Sequence, residues 1–156
     1  MPIKSKQYRP RHCNGDARRL GVALTVAAET PNLLAGQNPA GYLTLDFNEP
    51  GAAAERARAF ARLHPIDAGL GADDLTSEPA ARLAQALGLP GNPPEAVRRC
   101  RDKRLGREAL AAAGLPVPAF QVLGAHEDPG RAARAVRYPC VLKPTTLSAS
   151  RGVLRA

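Results

Sequence analysis

Aromatic residues are scarce in this chain of 156 residues: they make up 4% of the sequence, and tryptophan is absent. Any core must therefore be built mainly from Ala, Leu and Val. Long apolar runs are absent too, since no segment approaches the roughly 18 residues that a membrane-spanning helix needs. No apolar segment follows the basic N-terminus as it would in a secretory signal. These absences predict a soluble, cytoplasmic protein that has no contact with membranes.

The chain also lacks the motifs that most often mark a metal site or a catalytic loop. Its three cysteines, Cys13, Cys100 and Cys140, are odd in number and far apart, which fits free thiols in a reducing compartment and not a zinc site. The patterns of a phosphate loop (Gly-x-x-x-x-Gly-Lys), a dinucleotide-binding turn (Gly-x-Gly-x-x-Gly) and a nucleophile elbow (Gly-x-Ser-x-Gly) are missing. The residues by themselves therefore identify no catalytic group and no metal ligand.

Acidic residues are outnumbered: 14 Asp and Glu face 22 Lys and Arg, and the formal net charge is +8. The excess is confined to residues 1–19 and 98–107, each of which contains six basic residues and one acidic residue. A surface built to lie along nucleic-acid phosphates would be basic more uniformly, and residues 98–107 contain no aromatic side chain for stacking on bases. Nucleic acid is therefore not the expected partner. A small basic nucleic-acid-binding protein remains the alternative hypothesis, beside an inert truncated fragment.

The first half of the chain alternates predicted strands and helices. Residues 1–16 show no apolar periodicity and predict a disordered basic arm. From residue 17 onward, short apolar runs alternate with amphipathic patterns, which is typical of a parallel sheet with crossover helices. Turn residues bound each element, and Gly88 ends the last helix. The predicted strands are 21–28, 42–47 and the glycine-containing 66–71, and the predicted helices are 53–61 and 80–87.

A second domain is predicted for residues 92–156, after a Pro-Gly interruption of the pattern. Asn92 caps its first helix, which either runs unbroken to Ala112 or restarts at Asp102. An apolar segment that begins at Gly152 has no strand downstream with which to pair. The elements predicted between them are a strand at 120–123, a helix at 129–136, a strand at 138–144 and a small-residue loop at 148–153.

Two lysines and one loop are the candidate anion-binding groups. Lys143 ends an apolar strand before Pro144, so its ammonium is delivered at the strand end, and the small residues of 148–152 leave backbone amides accessible to a polyphosphate. A surface lysine beside an ordinary turn is the other interpretation of these residues. Lys103 either belongs to a solvated basic helix face or, if Asp102 begins a second helix, lies beside free N–H groups where anions bind.

The order of these features along the chain is more specific than any one of them. The segments concerned are Asp73-Asp74, 86–92, 92–96, Asp102-Lys103, 107–118, 138–144 and 148–153. In this order they resemble the ATP-grasp superfamily, in its carboxylate–amine or thiol ligase type. The resemblance implies an α/β protein. A partial, Rossmann-like pre-ATP-grasp domain is expected at 17–91, and the first, incomplete α+β subdomain of the ATP-grasp fold at 92–156.

The resemblance also implies a nucleotide site. Lys103 and Lys143 look like the two lysines that contact nucleotide phosphates. The loop that closes over the triphosphate would consist of Ser148, Ala149, Ser150, Arg151, Gly152 and Val153. In the family, ATP with Mg²⁺ phosphorylates a carboxylate, and an amine or another nucleophile then displaces the phosphate from the acylphosphate. The implied partners are therefore ATP and a carboxylate substrate.

Two departures from the family pattern limit what is expected of this chain. The family's adenine-binding hinge, its magnesium ligands and its late catalytic arginine would all lie beyond residue 156. The opening strand and most of the first helix are replaced by the basic residues 1–16. We therefore interpret the chain as a truncated N-terminal part of an ATP-grasp ligase, and we do not expect complete ligase activity from this polypeptide alone.

Overall fold

The computed structural model of this chain describes residues 10–156 and divides into two compact units between Pro94 and Glu95. Both units combine helices with short strands, as expected of an α/β protein. The helices are α1 (Pro10–Arg19), α2 (Pro50–Leu63), α3 (Ser77–Ala86), α4 (Pro94–Arg101), α5 (Lys103–Ala112) and α6 (Pro129–Ala135). The strands are β1 (Val26–Ala28), β2 (Tyr42–Thr44), β3 (Val141–Leu142) and β4 (Leu154–Arg155).

Helix α1 lies partly within the segment that was predicted to be a disordered arm. It begins at Pro10, so the expectation of disorder is wrong for residues 10–16, and the part of that prediction that concerns residues 1–9 lies outside the described residues. Gly21, with φ +67°, ends the helix, because the amide of Val22 then reaches back to the carbonyl of Ala17 at 2.9 Å.

Strands β1 and β2 pair in parallel, with Val26 opposite Tyr42 and Ala28 opposite Thr44. One further ladder bond follows, from the amide of Leu45 to the carbonyl of Ala28 at 3.0 Å. Both strands are shorter than predicted. The connection between them passes through a 3₁₀ turn at Pro39–Gly41 and not through an α-helical crossover.

The core of the first unit is small and consists of aliphatic side chains. Leu45, directly after β2, is 1% exposed, and α2 buries Ala53 and Ala57 while α3 buries Ala84. Alanines let α2 and α3 approach closely, and the Arg58 guanidinium on α2 donates to the carbonyl of Ala86 at 3.1 Å. The core was predicted to consist of Ala, Leu and Val, and this is confirmed for Ala and Leu, whereas no valine is among the buried residues described.

The predicted strand at 66–71 is wrong, since the structure shows irregular backbone there. Leu70 is 94% exposed, so the apolar residue that favoured a strand finds nothing to pack against. Gly71 instead lies against the start of α3, where a Cβ would stand 2.5 Å from the Cα of Ser77. The glycine therefore serves a close backbone approach, which is one of the roles of glycine in apparent strand patterns.

The second unit resolves the choice that the sequence left open at Asp102. Two helices, α4 and α5, replace one continuous helix, so the alternative with a restart at Asp102 is correct. The predicted strand at 120–123 is wrong. Its backbone joins no ladder in the described chain, and side-chain contacts hold it instead: the Gln121 amide donates to the carbonyl of Ala135 at 3.2 Å, and the Arg107 guanidinium lies 5.3 Å from the centre of the Phe120 ring.

Strands β3 and β4 form an antiparallel pair in which Val141 lies opposite Arg155 and Leu142 opposite Leu154. The strand predicted at 138–144 is thus reduced to two residues. The apolar segment that begins at Gly152 was expected to lack a partner downstream, and it pairs upstream, with β3. Within residues 95–156, all of which the structure describes, no apolar side chain is buried. Val97, Leu105 and Ala109 are half-buried, so hydrogen bonds add to partial apolar burial in ordering this unit.

Leu45 offers a test of the first unit's core. We expect Leu45→Ala to lower the free energy of unfolding by about 2–5 kcal/mol, because the substitution leaves a cavity at a fully buried position. Urea unfolding followed by circular dichroism measures the change. The matched control is Leu33→Ala, since Leu33 is 100% exposed and its loss should leave the unfolding midpoint unchanged. Equal effects of the two substitutions would contradict this description of the core.

Candidate functional site

The break between α4 and α5 is made by Asp102, which has extended backbone angles (φ −92°, ψ 114°) between two helices. Its carboxylate accepts hydrogen bonds from the amide of Arg104 at 2.8 Å and from the amide of Leu105 at 3.1 Å. This is the geometry of an N-cap, in which a side chain satisfies backbone donors that the first turn leaves unpaired. Asp102 therefore ends one helix and starts the next.

Gly106 allows the two helices to turn sharply at this break. A Cβ at this position would lie 2.8 Å from the backbone carbonyl oxygen of Arg99, which is too close for any side chain. The first turn of α5 can therefore rest against the last turn of α4 only because residue 106 is glycine.

Lys103, the first residue of α5, contacts the chain between β3 and β4 through its backbone and through its side chain. We call residues 143–153 the β3–β4 loop. The Lys103 amide donates to the carbonyl of Thr145 at 2.9 Å. Its ammonium nitrogen, Nζ, lies 3.3 Å from the same oxygen and 2.8 Å from the carbonyl oxygen of Leu147. The structure thus joins two features that the sequence singled out separately, a lysine and a loop.

These contacts correct one part of the sequence interpretation. The start of α5 was expected to offer free N–H groups to an anion beside Lys103. In the structure, the amides of the first three residues, Lys103, Arg104 and Leu105, all have acceptors: the carbonyl of Thr145 for the first and the carboxylate of Asp102 for the others. Unpaired N–H groups for an anion must therefore come from elsewhere.

Lys143 occupies the position directly after β3 and is exposed. In the part of the chain that the structure describes, no acidic group or carbonyl is recorded as a partner of its ammonium. Thr145, the residue that Lys103 contacts, follows two positions later, a separation of at most about 7 Å along the backbone. The backbone of Lys143 therefore lies near the point at which Lys103 is held.

Within the β3–β4 loop, residues 148–151 form a tight turn. Ala149 and Ser150 have positive φ angles, 54° and 56°, and the amide of Arg151 donates to the carbonyl of Ser148 at 3.2 Å. Two central residues with positive φ closed by such a bond define a type I′ turn, whose twist suits a two-stranded antiparallel pair. The usual residues at these positions are Asn and Gly, so Ala149 and Ser150 hold a strained conformation.

The end of the same loop is held against its beginning. Gly152 has φ +69°, and a Cβ there would lie 2.9 Å from Cγ of Pro144. The amide of Val153 donates to the carbonyl of Ser150 at 3.4 Å. The Arg151 side chain turns back, and its Nε donates to the carbonyl of Ser148 at 3.2 Å. The six predicted loop residues therefore form one compact turn beside Pro144.

The basic cluster at 98–107 is largely engaged within its own unit. The guanidinium groups of Arg98 and Arg99 lie 3.6 Å and 3.7 Å from the Glu95 carboxylate, and that of Arg104 lies 3.2 Å from Glu108. Arg107 lies over a phenylalanine ring, as described above. Exposed pairs of this kind contribute little to stability, but they lower the positive charge that the cluster presents to a polyanion.

One polar cluster was missed by the sequence analysis. It lies at the carboxyl ends of β1 and β2, where the Asn48 side-chain amide donates to Glu29 at 3.2 Å and to Asp46 at 3.1 Å. The signal was available, because Glu29 directly follows the predicted strand 21–28 and Asp46 lies near the end of the predicted strand 42–47. The cluster joins the ends of the parallel strands. Among the described residues, no group of three or more His, Cys, Asp or Glu is placed to hold a metal ion, so none is assigned to magnesium.

The first unit of this chain matches a known protein family. Residues 15–91 match the ATP-grasp N-terminal domain. This part of the chain is an ATP-grasp N-terminal domain. The matched segment begins within α1 and extends past the end of α3. The resemblance found in the sequence is thereby confirmed for the N-terminal part of the family. In residues 10–156, no helix is long and apolar enough to cross a membrane.

Curated relatives match this chain over about half its length. An uncharacterised protein of Sinorhizobium fredii, y4rH, is 38% identical over 72 residues, which is 46% of this chain and 15% of the relative. The carbamoyl phosphate synthase large chain of Beutenbergia cavernae is 40% identical over 76 residues, 47% of this chain and 7% of the relative. That of Mycobacterium tuberculosis is 36% identical over 76 residues, with the same coverage. The chain thus spans a small part of each of these proteins.

A solved structure matches more of the chain. The L-amino acid ligase of Bacillus licheniformis is similar with a TM-score of 0.64 and 27% identity, over 91% of this chain and 34% of the ligase chain. Since the first unit ends at Pro94, a match over 91% of the chain also includes most of the second unit. The similarity of fold to this ligase therefore extends beyond the N-terminal domain.

The capping role of Asp102 can be tested directly. We expect Asp102→Ala to destabilise the first turn of α5 by about 0.5–2 kcal/mol, because two backbone amides lose their acceptor. Amide hydrogen exchange at positions 104 and 105 measures the effect. Asp102→Asn is the matched control, since its side-chain oxygen can still accept both bonds and exchange should remain slow. Fast exchange in the Asn variant would show that charge, and not capping, is what matters.

The conformation of Gly152 gives a second test of the site. We expect Gly152→Ala to destabilise the β3–β4 loop by about 1 kcal/mol or more, because alanine at positive φ is strained and its Cβ would collide with Pro144. The measurement is amide exchange at position 153. Gly51→Ala is the control: Gly51 lies in α2 with open space around it, so alanine should leave that position undisturbed. Unchanged exchange at position 153 would contradict the assigned geometry.

Proposed function

We propose that this chain provides phosphate-binding groups for ATP in an ATP-grasp ligase, and that the complete ligase activates a carboxylate as an acylphosphate. The observation that carries the proposal is the contact of Lys103 with the β3–β4 loop, 2.8 Å from Nζ to the carbonyl oxygen of Leu147. It brings a fixed positive charge to a turn of small residues with accessible backbone. Fixed charge next to backbone donors is what a triphosphate requires.

The proposed binding groups divide into two kinds. Lys103 and Lys143 supply positive charge. Lys103 uses two of the three N–H donors of its ammonium on carbonyls, which leaves one for a phosphate oxygen, and Lys143 has an exposed ammonium. The loop supplies hydroxyl and backbone donors, and its proposed members are Ser148, Ala149, Ser150, Arg151, Gly152 and Val153. The terminal nitrogens of the Arg151 guanidinium are proposed to face phosphate oxygens while Nε stays on the loop.

The proposed chemistry is transfer of the γ-phosphoryl group of ATP to a substrate carboxylate. A carboxylate oxygen forms a bond to the γ-phosphorus as the bond to the β–γ bridging oxygen breaks, and ADP leaves. An amine or another nucleophile then attacks the acylphosphate carbon, and inorganic phosphate leaves. Bound Mg²⁺ would neutralise phosphate charge in this reaction. The lysines are proposed to hold and orient the phosphates, which is the main protein contribution to phosphoryl transfer.

The relatives support the proposal at the level of the family. One is named an L-amino acid ligase and two are named carbamoyl phosphate synthase large chains. This chain matches 34% of the first relative and 7% of each of the others. The complete reaction is therefore proposed for a full-length ligase, and the binding of ATP phosphates is proposed for the residues of this chain.

Calorimetric titration with Mg-ATP tests phosphate binding. We expect Lys103→Ala and Lys143→Ala each to weaken the affinity about tenfold or more, because each removes a charged donor to phosphate oxygens. Arg131→Ala is the control, since it removes the same charge from an exposed position on α6 and should bind as the parent does. Equal affinity in the parent and in both lysine variants would overturn the assignment.

A further inference from the structure

Lys103 directs its ammonium at main-chain carbonyls and not at an acidic side chain. Together with its backbone amide, the residue makes three hydrogen bonds to a stretch of three residues, 145–147, that lies more than 40 positions later in the chain. A solvated basic residue on a helix face would not make three hydrogen bonds to main-chain carbonyls of a distant segment. The lysine is half-buried, as these contacts require.

The contacts of Lys103 also determine the direction in which two backbone N–H groups of the loop point. In a trans peptide, the C=O and the N–H point in opposite directions. The carbonyls of Thr145 and Leu147 point at Lys103, so the N–H groups of Thr146 and Ser148 point away from it. Within residues 10–156, neither of these two amides has a recorded acceptor. Two unpaired N–H groups, separated by one residue, therefore face the side of the loop opposite to the lysine.

We propose that Lys103 is a positioning residue of the β3–β4 loop, which fixes two carbonyls and thereby presents the amides of Thr146 and Ser148 to an anionic group. Thr146 thus joins the groups that can contact the ligand, and the N–H donors expected at the start of α5 are provided by the loop instead. This deepens the proposed function, on which only the identification of the anion as an ATP phosphate rests. The positioning itself is a property of the chain without nucleotide.

Amide hydrogen exchange measured by NMR on the nucleotide-free chain tests the positioning. Three amides report on the loop, those at positions 103, 151 and 153, which donate to the carbonyls of Thr145, Ser148 and Ser150. Lys103→Met keeps the backbone and the length of the side chain but removes the ammonium. We expect exchange at the three positions to become roughly tenfold faster, which corresponds to the loss of a charged hydrogen bond.

Matched variants and reference amides make the result specific. Arg131→Met removes an equal charge from an exposed position on α6, outside the loop, and we expect exchange at the three positions to stay as in the parent. Lys103→Arg restores a charged donor and should restore slow exchange. The amides of Leu87 and Ala113, which lie at the ends of α3 and α5, serve as references for the two units and should be unaffected.

Two outcomes would overturn the positioning role. One is unchanged exchange at positions 103, 151 and 153 in Lys103→Met. The other is equally accelerated exchange at Ala113, which would show general loosening of the unit. Failure of the proposed function has a different signature: if the loop amides respond as expected but the parent chain releases no heat with Mg-ATP, the positioning stands and ATP binding does not.

Discussion

The second unit depends on one interaction, the capping of α5 by Asp102. The carboxylate stops α4 and satisfies the amides of the next helix, and it leaves Lys103 as the first helical residue, where its own amide faces the β3–β4 loop. If α4 and α5 were one helix, the amide at 103 would bond within that helix and could not reach Thr145. A single side chain therefore determines whether the lysine meets the loop.

Different interactions stabilise the first unit and the second unit. The first has a small apolar core around Leu45, and burial of such groups is the main source of stability in folded domains. In the second, apolar side chains of residues 95–156 are at most half-buried, and caps, tight turns and the contacts of Lys103 contribute to the order. Hydrogen bonds of this kind add about 0.5–1.5 kcal/mol each, or more where a charge takes part. The candidate site thus lies in the part of the chain that relies most on polar contacts.

The sequence was sufficient to predict those features that depend only on residues close together in the chain. Gly88 does end α3, and Asp102 does cap a helix, because both effects involve residues within a few positions. The strands predicted at 66–71 and 120–123 are absent from the described chain because a strand needs a partner, which a local pattern does not show. The contacts of Lys103 were out of reach for the same reason: Thr145 lies 42 positions away. The family resemblance pointed to both the lysine and the loop, but not to the bonds between them.

The close approach at Gly106 has a consequence for how the sequence of this unit can vary. The joint between α4 and α5 rests on backbone against backbone, with the first turn of α5 on a carbonyl of α4. Interlocking side chains usually set such an angle, and then a change of residue size on either helix shifts it. Here the exposed positions of the helices, such as Arg98 and Arg99, are free to change in size and charge. The direction in which α5 leaves the joint should persist in any sequence that keeps an aspartate or asparagine at 102 and a glycine at 106.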